Sequence, residues 1–181
     1  VITDIDCCKP VIKKDKNGKE GTYIEKTKYD AADDTIVTSN ASIKFFLNNT
    51  KKVKDILAMY PTILSWNIKN KSWETDERGY LRLTFQYGKK DTYQPRSFED
   101  AFFSENEKFI TENTFSSLHP NSLEQFKSDK DAYELANNGV SGKSSLAIEI
   151  LLNSKKEGSC DFSNWVVPTY IKEGLLWLRK D

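Results

Sequence analysis

The chain opens on Val1-Ile2-Thr3-Asp4-Ile5-Asp6, two β-branched apolar residues running into an alternation that ends in carboxylates. Period-two patterning predicts a strand over 1–6, with Asp4 and Asp6 pointing the same way at its carboxyl end. Residues 9–34 are polar and rich in lysine, which predicts a solvated loop carrying a hairpin turn at Asn17-Gly18. An extended piece over 35–38 leads into a helix capped by Ser39 or Asn40, with Ile43, Phe46 and Leu47 at helical spacing. A second helix over 52–60 shows Val53, Ile56 and Leu57 on one face and stops at Pro61. Beyond it come a strand over 64–68, a turn over 74–79, and a clearer strand over 80–87 with Leu81, Leu83 and Phe85 sharing a face. A polar loop is predicted over 88–95.

The second half reads as helical. A helix over 96–103 begins with Ser97 and Asp100 in a near capping box and turns Phe98 and Phe102 to the core. Residues 105–137 are polar and helical, anchored by Leu123, Phe126, Tyr133 and Leu135. Ser141 is placed to cap a helix through Leu146, Ala147, Ile150 and Leu151. Lys143 then falls in that helix's first turn, where the helix dipole disfavours a cation, so an anion or carboxylate beside it would account for its position. Gly142-Lys143-Ser144 looks like the end of a P-loop, but that motif needs Gly at position 137, where Asn stands, and a buried strand leading in. Pro168 starts a terminal helix with Tyr170, Ile171, Leu175 and Leu178 at helical spacing, read as core-docking.

Composition narrows the classes. Lys and Arg number 27, as do Asp and Glu, so no global field draws the chain to nucleic acid or an anionic membrane. Four Trp, eight Tyr and ten Phe exclude a disordered composition. No apolar run is long enough to span a bilayer. Cys7, Cys8 and Cys160 form no disulfide framework, and His119, the single histidine, sits in a turn-like Leu-His-Pro-Asn-Ser context. A zinc site and Cys–His or Ser–His catalysis are therefore disfavoured, and a reducing, cytoplasmic setting is expected. The chain begins without Met on an apolar segment, which suggests the carboxyl-terminal piece of a longer protein.

The acidic pair has chemistry of its own. Close carboxylates raise each other's pKa unless a cation lies between them, and a hard divalent ion with oxygen ligands relieves that repulsion. The competing reading is an exposed acidic turn after a buried strand.

Five stretches in order carry a resemblance. They are Thr3-Asp4-Ile5-Asp6; Thr38-Ser39-Asn40-Ala41-Ser42-Ile43-Lys44; the strand over 83–87 with Arg96-Ser97-Phe98-Glu99-Asp100-Ala101-Phe102; Lys143-Ser144-Ser145-Leu146-Ala147; and Pro168-Thr169-Tyr170-Ile171-Lys172-Glu173-Gly174-Leu175. Together they resemble the carboxyl-terminal Toprim region of OLD-family (overcoming lysogenization defect) ATP-dependent endonucleases, Gabija-type nucleases included. The resemblance implies a Toprim-like α/β fold, a mainly parallel sheet flanked by helices, truncated at its amino end. On that basis residues 1–103 form the Toprim-like part and 104–181 a mostly helical part packing back on the sheet as one compact unit.

The resemblance also implies a site. Its Asp-x-Asp falls on Asp4 and Asp6, its Ser-x-Glu on Ser97 and Glu99, and its later catalytic lysine on Lys143. Asp4, Asp6, Ser97 and Glu99 would hold Mg²⁺ or Mn²⁺, with Asp4, Glu99 and Lys143 as the catalytic set, in two-metal hydrolysis of DNA phosphodiesters. ATP belongs to an ABC-type ATPase domain preceding this region, and full-length relatives are expected to form homo-oligomers, with no membrane partner. The family's first strand and its glutamate would lie before Val1, so the metal site is expected to be incomplete and the chain alone inactive or very weak. Cys7 and Cys8 depart from the small or aliphatic residues expected after the acidic pair. The alternative is a non-catalytic module that dimerises or positions the ATPase on DNA.

Overall fold

The computed structural model describes residues 1–88, 93–155 and 164–179. Cys160 and much of the polar loop expected over 88–95 lie outside the described residues. Among the described residues the chain is mixed α/β, with two three-stranded sheets and eight α-helices. It divides into two compact units: Val1–Ser97 together with the segment from Thr169, and Phe98–Pro168. The division thus falls between Ser97 and Phe98, where the sequence reading put it after Phe103, and the terminal helix belongs with the first unit.

In the first unit, β1 (Cys7–Lys14) and β2 (Glu20–Lys26) form an antiparallel hairpin, and β3 (Val37–Thr38) pairs with the start of β1. Half of the loop expected over 9–34 is therefore strand. Its turn stands where the sequence placed it: Gly18 has φ +79°, a left-handed conformation that glycine adopts freely, and Asp15 Oδ1 accepts the N–H groups of Asn17 at 2.8 Å and Lys19 at 2.9 Å. Cys7 and Cys8 open β1 as buried side chains, behaving as small hydrophobes. Burial pushes the Cys8 thiol up, although a hydrogen bond with Ser39 and the Arg96 charge pull the other way.

The second sheet runs β5-β4-β6, from β4 (Thr62–Asn67), β5 (Ser72–Thr75) and β6 (Leu81–Leu83). The mainly parallel sheet expected from the sequence is not found among the described residues: every strand pairing in both sheets is antiparallel. A parallel pairing does occur as an isolated bridge between Ile2 and Thr84. The strand expected over 1–6 is reduced to that bridge, and at Asp6 the backbone turns into the left-handed region at φ 49°.

Helix α1 (Ala41–Phe46) is capped by Asn40, whose side chain accepts the Ile43 N–H at 3.1 Å, and α2 (Val53–Ala58) follows. These helices and the strands bury Ile5, Ile36, Ile43, Val53, Ile56, Leu64, Leu83 and Phe85. Each such side chain contributes about 1.5–3 kcal/mol over its exposed state. The terminal helix α8 (Thr169–Leu178) brings Gly174 against Ile2 and Thr84. Its Glu173 accepts from the Tyr60 hydroxyl and pairs with Arg82 Nη2 at 3.2 Å. Burial, then the bond to Glu173, push the Tyr60 phenol up to about 12.

The second unit is helical: α3 (Phe98–Glu105), α4 (Glu107–Glu112), α5 (Pro120–Asp129), α6 (Ala132–Glu134) leading into a π-helical turn (Leu135–Gly139), and α7 (Lys143–Asn153). Phe102 is its aromatic centre, in ring contact with Phe98, Phe103, Phe109 and Trp165. Ser141 does not cap α7. Gly142 occupies the cap position without a side-chain bond, and the Ser141 hydroxyl donates instead to the Ser117 carbonyl at 2.9 Å. No helix among the described residues is long and apolar enough to cross a membrane.

Candidate metal centre

The Asp4-Ile5-Asp6 loop is clamped residue by residue within the first unit. Val1 and Thr3 lie along the 82–86 segment: the Thr84 N–H donates to the Val1 carbonyl at 2.8 Å, and the Thr3 N–H to the Thr84 carbonyl at 3.0 Å. Thr38 Oγ1 donates to the Ile5 carbonyl at 2.6 Å. Asn40 Nδ2 donates to the Asp4 carbonyl at 2.9 Å and to Thr3 Oγ1 at 2.8 Å. One cap residue thus starts α1 and fixes the acidic loop together.

Gln86 is buried and holds the loop from the other side. Its Oε1 accepts the Ile5 N–H at 2.7 Å, and its Nε2 donates to Asp4 Oδ1. The Tyr170 hydroxyl of α8 donates to the same Asp4 oxygen at 3.3 Å. The two carboxylates therefore have separate surroundings. Asp4 faces an amide and a phenol, whereas Asp6 meets a guanidinium: Arg96 Nη2 stands 3.3 Å from Asp6 Oδ1. The Asp6 N–H also donates to the Arg96 carbonyl at 2.9 Å. The alternation expected to aim both aspartates the same way ends at Asp6's left-handed backbone, a conformation that costs of order 1 kcal/mol and gathers at functional sites.

Of the residues singled out by sequence, Asp4, Asp6 and Ser97 lie in the first unit and Glu99 and Lys143 in the second. The Asp6–Arg96 contacts bring the acidic loop to the residue before Ser97, which is buried. In the second unit Lys143 Nζ sits 2.8 Å from Glu99 Oε1. Glu99 stands in the first turn of α3, where the dipole favours an anion; Lys143 is the first residue of α7, where it does not, and the carboxylate accounts for its place. The two line one side of a cleft of about 290 Å³ completed by Phe98, Ser144, Leu146, Ala147 and Ile150.

Asp4, Asp6, Ser97 and Glu99 are all oxygen donors, the kind Mg²⁺ and Mn²⁺ select. Their donor chemistry fits such an ion. Among the described residues, however, no group of three or more His, Cys, Asp or Glu side chains stands ready to hold one. Asp6 and Glu99 are each neutralised by a protein cation instead.

Gln86, Arg96, Tyr170 and Asn40 were not singled out as site residues by sequence. Gln86 follows the buried Phe85 and is itself buried, so period-two patterning gives no hint of it. Arg96 and Tyr170 lie inside the stretches that carry the resemblance, and a lone Arg beside a Ser-x-Glu step was the one signal on offer. Searches of family models, curated proteins and solved structures return no match to the chain.

Proposed function

We propose that this chain is the nuclease module of a metal-dependent DNA endonuclease of the OLD type, with a Toprim-like fold. The observation that supports the reading most is the Asp6–Arg96 pairing, which ties the Asp-x-Asp loop to the residue next to Ser97 within the first unit. The five resembling stretches add to it.

The residues divide the work. Asp4, Asp6, Ser97 and Glu99 would hold Mg²⁺ or Mn²⁺, which when bound activates water and stabilises the leaving oxygen of a phosphodiester. Gln86 and Tyr170 orient the Asp4 carboxylate, and Arg96 orients that of Asp6. Lys143, with a side chain 75 % exposed, offers its ammonium to the charge gathering on a phosphate. The partners on this reading are DNA and an ABC-type ATPase domain that uses ATP, in a homo-oligomer located in the cytoplasm.

A second reading has its own support. Asp6 and Glu99 already have cationic partners, and α7 leaves Ile148, Leu151 and Leu152 exposed, which suits a non-catalytic module that dimerises or positions an ATPase on DNA. The two readings part on nicking of supercoiled plasmid by the full-length protein in Mg²⁺ or Mn²⁺. Asp4→Ala and Glu99→Ala should each abolish nicking; undiminished nicking in both variants would favour the scaffold.

A further inference from the structure

The second sheet carries a run of aromatic rings unconnected with the acidic loop. Trp66 of β4 and Trp73 of β5 are cross-strand partners with ring centroids 5.4 Å apart. Phe46 of α1 packs on Trp73 at 5.2 Å, and Phe45 on Phe46 at 5.1 Å. Tyr80 reaches Trp73 at 6.3 Å. These are edge-on or tilted contacts, so they leave ring surface uncovered: Trp66 is 39 % exposed, Phe45 63 % and Tyr80 67 %. Tyr80 is held in place, since its Oη accepts the backbone N–H of Trp66 at 3.0 Å, and the strand behind the rings is fixed where Asn48 Nδ2 donates to the backbone carbonyl of Trp73 at 2.7 Å.

Charge on the same stretch has one sign in excess. Residues 44–82 contain eight Lys and Arg against four Asp and Glu, in a chain whose total charge is zero. Lys54 and Arg82 are engaged by Asp34 and Glu173. Lys44 adjoins Phe45, and Lys69 and Lys71 sit on the hairpin between Trp66 and Trp73; none of these three takes part in an ion pair among the described residues. Exposed, fixed aromatic faces beside unpaired ammonium groups match a ligand that has both π faces and a chain of negative charge.

We infer that this aromatic edge, built on Trp66, Tyr80 and Phe45 and flanked by Lys69 and Lys71, binds unpaired nucleotides of a single-stranded nucleic acid. Bases stack on such rings without regard to sequence, while lysines follow the phosphates. A duplex keeps its bases stacked on one another and can engage the lysines alone. The surface shares no residue with the candidate metal centre, so its failure and that of the nuclease reading are separate results.

The test titrates the chain against labelled oligo(dT), oligo(U) and a duplex of equal length, following anisotropy and tryptophan fluorescence. Both single strands should bind and quench tryptophan, and the duplex should bind more weakly; the ratio of oligo(dT) to oligo(U) tells DNA from RNA. Trp66→Ala and Tyr80→Ala should each weaken binding about tenfold. Replacing Lys69 and Lys71 together with Gln should reduce the slope of log affinity on log salt by about 1.4 while keeping the quench. Wild-type affinity in both ring variants, or an unchanged salt slope in the lysine variant, overturns the inference. So does concentration-dependent self-association through Trp66 without any response to oligonucleotide, which would assign the face to a second copy. Should a ring variant fail to fold by circular dichroism, the exposed lysine pair decides the matter alone.

Discussion

Lys143 and Glu99 join the first turns of two helices through one ion pair, Nζ to Oε1 at 2.8 Å. The partners are unequal: the Glu99 side chain is 8 % exposed and that of Lys143 75 %. Removing the lysine strands a nearly buried carboxylate, whereas neutralising the glutamate leaves an ammonium that water can solvate. Lys143→Met should therefore cost more than Glu99→Gln, about 1–2 kcal/mol after allowing for the exposed partner. Urea unfolding of both single variants and the double variant measures it. The double variant should lose less than the sum of the singles, and additive losses would mean that the pair contributes nothing.

Gln86 supports the acidic loop with both ends of its amide. Gln86→Leu leaves the buried Ile5 N–H without its acceptor and should cost about 1–3 kcal/mol. Gln86→Glu keeps an acceptor but sets a second carboxyl against Asp4. Mutual repulsion then raises a carboxyl pKa in the folded state above its unfolded value. The stability at stake is present at low pH and is lost as pH rises through that raised pKa. Melting temperatures should show Gln86→Glu close to wild type in acid and well below it at neutral pH; a deficit independent of pH would count against the contact.

Gly174 is fixed by packing rather than by a turn. A Cβ there would lie 2.8 Å from Thr84 Oγ1 and 3.0 Å from Ile2 Cγ1. Alanine improves helix propensity by about 1 kcal/mol, but crowding a close-packed site typically costs about 1–3 kcal/mol. Thr84 is buried and β-branched, so its hydroxyl has little room to turn away. Gly174→Ala should destabilise the protein in thermal melts, and Thr84→Ala should recover part of that loss. A Gly174→Ala variant more stable than wild type would show that α8 shifts freely on this surface.

Local signals in the sequence located the elements they govern. Asn40 as a cap, Gly18 as a turn and the inward face of Leu83 and Phe85 depend on neighbours a few residues away, and all stand where patterning put them. The strands flanking Gly18 were missed because much of β1 and β2 is exposed, with Ile12 at 76 % and Ile24 at 60 %, so no inside–outside alternation marks them. β5 was missed because four residues containing one Trp give no period. The position of Lys143 did announce a carboxylate, since a cation in a first helical turn needs a reason. Nothing local could tie Gln86 to Asp4 or Arg96 to Asp6, because those contacts span more than eighty residues and depend on how the strands pair.

Glu149 of α7 gives the second unit a pH dependence whose direction is fixed. Its carboxylate accepts the N–H groups of Ser116 and Ser117, each at 3.1 Å, and both serine hydroxyls, that of Ser117 at 2.5 Å. Those bonds, the Ser116 and Ser117 side chains foremost, hold its pKa below the ordinary glutamate value of 4.5. As pH falls, the unfolded chain takes up this proton before the folded chain does. The stabilisation is therefore complete above the unfolded pKa and drains away as pH drops through the folded one. Glu149→Gln keeps the shape and loses the charge, at a cost of about 1–2 kcal/mol near neutral pH. Comparing wild type with the variant cancels the other carboxylates, so the difference in unfolding free energy should stay level from neutral pH to about 5 and then shrink toward pH 3. A difference that held constant into acid would show that the serines bind the protonated carboxyl as well as the ion.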